Sequence, residues 1–374
     1  MPDRVTDVVV VGGGPAGLAT AIQARRAGLE VVVVETEQPP IDRACGEGLL
    51  PSGCAELAAL GVDPDELEGH PFVGIRWVDG DLEAAGRFPE GPGRGIRRNR
   101  LHSALARRAE QLGADLQWGV RATSLRRDGV ETDRGPIRAG WLVGADGRGS
   151  RVRGWAGFDA GPPRHPRFGQ RRHYRVEPWT DHVEVHWGVG CEAYVTPVAE
   201  DLVGVAILAG PEPGLYEERL ASLPQLASRL RGKAAASKLR GAGPFGEGRR
   251  AVSRGFLALV GDAASCLDPI TGEGISLALQ ESRALVEAIV ARDLRRYARA
   301  QGRLDRLPRW LTAAVLLLGR RPELRRRVIE ALALDPALFG RLLSVAAGNH
   351  RALPGAAVRL GLRLLWESDP EGAP

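Results

Sequence analysis

The sequence predicts an α/β fold in which a parallel sheet is joined to an antiparallel sheet and to a helical C-terminal segment. A strand, a glycine turn, a helix and a second strand follow one another from Asp7. Apolar residues alternate with a period of two between Gly169 and Leu208, which is typical of half-buried strands. Later, a buried strand at 256–262 runs into a glycine-containing loop and a long helix. The 374 residues are enough for about two domains of ordinary size.

The first of these patterns is a complete βαβ unit. Gly12 permits a tight turn, Gly14 lets the backbone approach a pyrophosphate, and Gly17 allows the helix to pack closely on the strand. Glu35, at the end of the second strand, is expected to bind a ribose. The elements come in the required order: 7–11, 12–17, 18–27 and 31–34. The unit therefore predicts dinucleotide binding rather than a plain glycine-rich turn.

The next segment is a loop of unusual composition. Pro39 and Pro40 end the regular structure, and the following residues include Arg43, Cys45 and Glu47 among glycines. Periodicity then predicts helices at 52–60 and 99–112, a strand at 72–78, and a strand from Trp141 that enters a glycine-containing loop with Asp146. The loop that contains Arg43, Cys45 and Glu47 has a composition that is unusual for a plain connector between two elements.

The alternating region predicts an antiparallel sheet, because its strands are separated by short turns. The predicted strands are 171–176, 182–187, 192–196 and 202–208. Alternation places His182, Glu184 and His186 on one face of the second strand and Val183, Val185 and Trp187 on the other. Which face points inward stays open. A helical section at 215–230 follows.

The last strand and its loop form a second candidate anion site. Asp262, at the strand end, can accept hydrogen bonds from a polyol, and Gly272 and Gly274 leave backbone N–H groups accessible before a helix at 275–291. N–H groups aimed at an electron-accepting ring would stabilise its reduced, negatively charged form. A tight turn without a ligand is the alternative.

Composition argues against several other classes of protein. The net charge is +5, but the arginines are scattered among acids, so no nucleic-acid-binding face is expected. The four cysteines form no CxxC pair and no metal-ligand spacing with the seven histidines, which predicts no metal site and a reducing, cytoplasmic setting. No secretory leader is expected at the N-terminus, and the apolar run 310–318 is too short to span a membrane.

Together these motifs resemble the FAD-dependent superfamily of p-hydroxybenzoate-hydroxylase-like monooxygenases and geranylgeranyl reductases. The resemblance covers about residues 5–295, and Cys45-Gly-Glu-Gly48 and Asp268–Ile275 are most similar to the geranylgeranyl reductase branch. It implies a glutathione-reductase-like FAD-binding Rossmann domain, an antiparallel substrate domain and a C-terminal helical segment. The implied boundaries are 1–70, 96–157 and 251–300 for the first, 71–95 and 158–250 for the second, and 301–374 for the third.

The resemblance also implies roles for individual residues. The glycine turn would hold the pyrophosphate, Glu35 the adenosine ribose, Asp262 the ribityl chain and Pro269 the isoalloxazine. The full implied cofactor set is Gly12, Gly14, Pro15, Ala16, Gly17, Glu35, Arg43, Arg98, Val120, Asp146, Gly261, Asp262, Pro269, Gly272, Glu273, Gly274 and Ile275.

The candidate catalytic residues are Cys45, Glu47, Tyr194 and His186, with His173 as a second candidate proton donor. Cys45 and Glu47 match a loop that borders the flavin in the family. The rival interpretations are a small buried thiol for Cys45, a core aromatic for Tyr194 and solvated strand histidines. The reductase branch carries Trp and Phe near the place of Tyr194, and both are absent here.

The predicted activity is that of an FAD-dependent monooxygenase acting on an apolar or aromatic small molecule of specialised metabolism, and the alternative is a reductase of C=C bonds in an isoprenoid or lipid-like substrate. NAD(P)H would dock transiently, because no second dinucleotide motif follows, or a protein would donate electrons. The amphipathic C-terminal helices at 304–318, 324–334 and 338–347 predict a lid on the flavin domain; contact with anionic lipid is the alternative.

Overall fold

The computed structural model describes residues 4–159, 161–163, 165–212, 214–246, 249, 251–348, 355, 359 and 360. Its strands are β1 Arg4–Val11, β2 Val31–Glu35, β3 Gly48–Leu49, β4 His70–Phe72, β5 Gly74–Asp79, β6 Leu82–Arg87, β7 Gly93–Gly95, β8 Asp115–Trp118, β9 Ala122–Arg126, β10 Gly129–Thr132, β11 Gly135–Gly144, β12 Arg167–Arg175, β13 His182–Trp187, β14 Cys191–Ala199, β15 Leu202–Ala209, β16 Arg240–Phe245, β17 Ser253–Arg254 and β18 Leu257–Leu259. Its α-helices are α1 Pro15–Arg26, α2 Pro51–Ala59, α3 Arg98–Gln111, α4 Arg151–Trp155, α5 Tyr216–Ala221, α6 Pro224–Leu230, α7 Gly274–Val290, α8 Leu294–Arg320, α9 Pro322–Leu334 and α10 Pro336–Ala346.

The first sheet is the parallel sheet that the βαβ unit predicts. Its order is β17-β18-β11-β1-β2-β8, with β1 parallel to both β11 and β2. The residues 8–11 and 31–34 are buried valines, because helices cover both faces of a parallel sheet. The helices α1 and α7 pack against each other beside it. The carboxyl ends of β1 and β18 therefore bring the two glycine loops to one edge.

The second sheet has the order β16-β12-β15-β14-β13-β5-β6. All its pairs are antiparallel except β13 with β5. One apolar cluster joins Val183, Val185 and Trp187 to α9 and α10, while another joins the opposite face to α5 and α6. Both faces are thus covered, and the α/β fold class is confirmed, whereas the domain boundaries stay a prediction.

Several predicted elements differ from the observed ones in their limits. The strand predicted at 72–78 is broken at Val73 into β4 and β5, and the strand predicted at 256–262 ends early because Gly261 adopts φ +62° in a short turn. The predicted section 215–230 divides into two helices where Pro224 begins α6. The helix predicted at 304–318 extends over 294–320 as α8.

Some of the predicted C-terminal segment lies outside the described residues, namely 349–374 apart from 355, 359 and 360. Within the described part of the chain, no helix combines the length and the apolarity that a membrane span requires.

Candidate functional site

The glycine turn after β1 combines two crowded glycines with one that is open. Gly12 has φ +112°, and a Cβ there would lie 2.3 Å from the carbonyl oxygen of Ala145. A Cβ on Gly17 would lie 1.9 Å from the Gly12 oxygen, so α1 packs directly on the turn. A Cβ on Gly14 would meet no atom within 4 Å. The turn leaves open space at the uncapped N-terminus of α1, as a pyrophosphate requires.

The carboxylate of Glu35 holds this turn in place. Its oxygens accept hydrogen bonds from the Gly13 N–H and the Glu37 N–H, both at 2.8 Å. On the other side, the carbonyl of Gly13 lies 3.0 Å from Nε2 of His102, a fully buried side chain on α3. Burial lowers the pKa of His102 to about 4, so its ring is neutral and donates from Nε2. His102 was not among the predicted site residues; its place between Leu101 and Leu105 on a helix marks it only as a core position.

Two other predicted cofactor residues shape the surroundings of the turn. Asp146 accepts hydrogen bonds from the Ser150 hydroxyl and, at 3.1 Å, from the Val152 N–H, and so it caps α4. Its loop contacts the end of β1, because the Ala145 N–H donates to the Val11 carbonyl at 2.7 Å. Val120 is a core residue whose N–H donates to the backbone carbonyl of Glu35.

The second glycine loop, residues 261–274, lies directly against the glycine turn at 12–17. A Cβ on Gly261 would stand 2.7 Å from the Cβ of Ala16, and the Gly261 N–H donates to Glu281 on α7 at 2.8 Å. Asp262 follows and is exposed. Further along, a Cβ on Gly272 or on Gly274 would meet no atom within 4 Å, so this part of the loop presents bare backbone.

Pro269 and Ile275 flank this bare backbone, and Glu273 stands between its two glycines. Burial raises the pKa of Glu273 to about 7, and its Oε2 has no hydrogen-bond partner among the described residues. Arg98 Nε is likewise buried without a partner there. A polar, planar cofactor bound beside the open backbone would supply hydrogen-bond partners for these two buried polar atoms.

The loop before β3 contains a buried carboxylate in a strained conformation. Glu47 has φ +61°, which is rare for a residue with a side chain. Its Oε1 accepts from the Arg98 N–H at 2.9 Å and lies 3.7 Å from the Arg171 guanidinium. Its Oε2 is 2.6 Å from Nε2 of His173, whose Nδ1 is 2.8 Å from the hydroxyl of Ser237. Since Ser237 is partly exposed, hydrogen bonds run without a gap from the surface to Glu47.

The same loop presents a neutral thiol. The Glu47 N–H donates to Sγ of Cys45 at 3.3 Å. Although the residue is partly exposed, burial of the sulfur raises the pKa of Cys45 above its ordinary value, and the Arg98 charge offsets this only in part. Arg43 is exposed: its side chain pairs with Glu37, and its carbonyl accepts from Arg171.

One face of β14 reaches both of these loops. The Tyr194 hydroxyl donates to the carbonyl of Ile270 at 2.7 Å, and the Thr196 hydroxyl donates to the carbonyl of Gly46 at 2.8 Å. On the same face, Arg167 lies between Glu192 and Asp268. Burial outweighs this ion pair and raises the pKa of Glu192 to about 7.

His186 lies on the opposite face of the sheet. It stands across from Ala193, whereas its neighbour Val185 stands across from Tyr194. Its Nε2 is 2.8 Å from Glu184, and both residues line a separate cavity beside α6. The structure therefore brings Cys45, Glu47 and Tyr194 together with the glycine loops and leaves His186 outside the group.

A cavity of about 370 Å³ opens beside the second glycine loop, on the Tyr194 face of the sheet. Its apolar walls come from Trp187, Ile270 and Leu316. Helix α8 forms one side and is tied to the loop, because the Arg309 guanidinium donates to the Ser265 hydroxyl at 2.8 Å. Gln301 of the same helix donates to Glu281, which holds Gly261.

Comparison with known proteins identifies a matching family. Residues 5–169 match the family described as FAD binding domain. The chain is 30% identical to menaquinone reductase of Mycobacterium tuberculosis (strain H37Rv) over 79% of each chain. It is 31% identical to ubiquinone hydroxylase UbiL of Rhodospirillum rubrum over 77% of this chain and 73% of that one. It is 30% identical to digeranylgeranylglycerophospholipid reductase of Methanosarcina mazei over 77% of each.

The fold is shared with solved flavoproteins. A flavoprotein/dehydrogenase from Cytophaga hutchinsonii superposes with a TM-score of 0.80 at 21% identity, over 92% of this chain and 93% of that one. The open glycine turn, Glu35 and the bare backbone at Gly272 and Gly274 fit a flavin dinucleotide, which the expectations from sequence assigned to the same residues. The chain therefore belongs to the FAD binding domain family and is an FAD-dependent oxidoreductase.

Proposed function

We propose that the chain is a reductase that adds hydrogen to an apolar, lipid-like substrate such as an isoprenoid or a prenylated quinone. The observation that carries the proposal is the neutral thiol of Cys45, beside a hydrogen-bonded route from the surface through His173. Relatives named menaquinone reductase and digeranylgeranylglycerophospholipid reductase support the same class.

Bound FAD supplies hydride chemistry, and the chain's own residues supply the proton. Saturating a C=C bond takes one hydride and one proton, so a reductase needs a protonated group facing the substrate. Cys45 holds such a proton on Sγ at neutral pH, because burial raises its pKa. Hydrogen bonds from Ser237 through His173 reach the Glu47 carboxylate, and the backbone N–H of the same Glu47 donates to Sγ of Cys45. We propose that this route returns a proton to the loop.

The remaining parts of the proposal concern the substrate and the reductant. The cavity has apolar walls at Trp187, Ile270 and Leu316 that would receive the apolar part of a substrate, and charged residues, among them Arg167 and Glu192, line the rest of it. Tyr194 orients the loop beside it. NAD(P)H that docks transiently is the proposed reductant, and an electron-donor protein is the alternative. No disulfide joins any two of the four cysteines, which supports the proposed cytoplasmic location.

A monooxygenase is the second candidate, because the ubiquinone hydroxylase relative is as similar to this chain as the reductases are. Insertion of an oxygen atom would use the same cavity without a dedicated acid in the loop. The two activities differ in their products, since one adds two hydrogens and the other adds one oxygen.

Analysis of the products distinguishes the reductase from the monooxygenase. The purified holoprotein would be incubated with NADPH and a panel of prenylated quinones and isoprenoid lipids, without oxygen and then with isotopically labelled oxygen. We expect products that gain two hydrogens in both atmospheres. Products that gain one labelled oxygen atom would replace the reductase with the monooxygenase.

A matched pair of variants tests the thiol. Cys45→Ser should lower the rate of product formation by about a hundredfold, because a serine hydroxyl is a much weaker acid. Cys54→Ser, at the partly exposed cysteine of α2, should keep the rate. Equal rates for the two variants would show that Cys45 is not the proton donor.

A further inference from the structure

Helix α8 buries some polar side chains and leaves two large apolar ones exposed. Gln301, Asp305 and Thr312 are buried together with Leu294, Tyr297 and Pro308, while Trp310 is 55% exposed and Leu317 is 48% exposed. Amphipathic helices of globular proteins normally bury their large apolar residues and expose the polar ones. Trp310 and Leu317 are therefore the two large apolar side chains that this helix presents outward.

The exposed residues form a single stripe with arginine at both ends. Successive members are three or four residues apart, so they share one helix face, and all are exposed: Arg303, Arg306, Trp310, Ala313, Leu317 and Arg320. The helix contains seven arginines and one acidic residue, Asp305, which is buried. Among the described residues, Arg303, Arg306 and Arg320 form no ion pair with a carboxylate, so their charge faces outward.

The stripe borders the cavity beside the second glycine loop. Leu316, Gly319 and Arg320 line that cavity, as does Gly190 of the turn between β13 and β14. Val189, the residue before Gly190 in that turn, is 98% exposed. The cavity therefore has exposed apolar residues next to its lining on two sides, the helix and the turn.

The charges decide between the surfaces that could cover the stripe. In a symmetric dimer through this face, either orientation of the helices would bring cationic ends together, which is unfavourable. An anionic lipid surface instead attracts arginines, while Trp and Leu insert at the level of the headgroups. We propose that the stripe on α8 docks the protein on anionic membrane lipid, so that an apolar substrate can enter the cavity from the bilayer. Docking can be measured without substrate, so it is tested separately from the proposed reaction.

Sedimentation of the FAD-loaded protein with lipid vesicles tests the proposal. We expect binding to vesicles that contain phosphatidylglycerol and little binding to vesicles of pure phosphatidylcholine. Arg306→Glu with Arg320→Glu should weaken binding by more than about tenfold, since each arginine near an anionic surface contributes about fivefold. The control Arg107→Glu with Arg121→Glu changes the same charge at exposed positions elsewhere and should bind as the wild type does.

The apolar part of the stripe is tested in the same way. Trp310→Ser with Leu317→Ser should weaken binding by about tenfold or more, whereas Val290→Ser, at an exposed valine on α7, should leave it unchanged. Far-UV circular dichroism and FAD content check that each variant is folded. Wild-type binding by both stripe variants would overturn the proposal. So would a dimer in sedimentation velocity that dissociates when Trp310 and Leu317 are replaced, because a second copy would then cover the face.

Discussion

Gly12 and Gly14 stand two residues apart in one turn, yet the structure gives them different tasks. A side chain at Gly12 would collide with the Ala145 carbonyl and require a left-handed backbone, whereas a side chain at Gly14 would enter open space. The same substitution should therefore lower the stability of the fold when made at Gly12 and weaken FAD binding when made at Gly14.

We expect Gly12→Ala to destabilise the cofactor-free protein by about 2 kcal/mol or more, because strain and steric overlap add. Gly14→Ala should change that stability by only about 0.5 kcal/mol and should weaken FAD binding by about tenfold. Urea unfolding of the apoprotein and fluorescence titration with FAD measure the two effects. A stable Gly12→Ala protein with normal FAD binding would contradict this account of the turn.

Tyr194 and His186 offer a second comparison between single residues, on the two faces of one sheet. Tyr194→Phe removes the donor to the Ile270 carbonyl, at a cost of about 1–3 kcal/mol for a buried acceptor left unpaired. We expect weaker FAD binding and an altered flavin absorbance spectrum. His186→Gln should leave the spectrum unchanged, since its partner Glu184 lies on the far face. The reverse pattern would show that the face assignment is wrong.

At the scale of elements, α7 carries a buried carboxyl group that supports the second glycine loop. Burial, reinforced by the nearby Asp305, raises the pKa of Glu281 to about 8, whereas an unfolded chain has about 4.3. Between these pH values the folded protein binds a proton that the unfolded chain releases. The contribution of Glu281 to stability is therefore full below about pH 4 and is lost as the pH rises towards 8.

Glu281→Gln should keep the acceptor for the Gly261 N–H and remove this pH dependence. The free energy of unfolding of the variant relative to wild type should rise between pH 5 and pH 8, with a slope of at most about 1.4 kcal/mol per pH unit. Glu287→Gln, at an exposed position on the same helix, is the control and should show no such trend. If the free energy of unfolding changes with pH in the same way for all three proteins, the group that binds the proton is not Glu281.

The elements also show how far the sequence alone leads. Strong local patterns predict the βαβ unit, both glycine loops and the strands β12 to β15 of the second sheet, because glycine spacing and a period of two are properties of neighbouring residues. The edge strands β6 and β16 were not predicted. The inward face of β13 could not be predicted, because both faces of this sheet are covered and both sets of side chains are buried. The hydrogen bond between Glu47 and His173 joins residues 126 apart, and no local pattern reports such a contact.

At the scale of the whole molecule, a buried ion pair connects the C-terminal helices to the second sheet. Arg325 on α9 binds both oxygens of Asp79 on β5, at 2.8 and 3.1 Å, and its guanidinium lies over the ring of Trp187. The neighbouring Arg326 instead pairs with Asp81 at the surface. Adjacent arginines thus contact the same part of the sheet with very different exposure.

Arg325→Met should lower the free energy of unfolding by about 3 kcal/mol, because it leaves the Asp79 carboxylate buried without its partner. Arg326→Met should cost less than about 1 kcal/mol, as is usual for an exposed pair. Chemical denaturation of both variants measures the difference. Equal losses would mean that the Asp79 pair does not hold α9 to the sheet.

The contact between Gly261 and Ala16 also sets an order of events during protein synthesis. Ala16 leaves the ribosome early, whereas Gly261 and the loop that completes the nucleotide site lie in the last third of the chain. A nascent chain therefore carries only half of a flavin site for most of its translation. Cofactor capture belongs to the end of synthesis, when release from the ribosome and flavin binding can complete the same folding step.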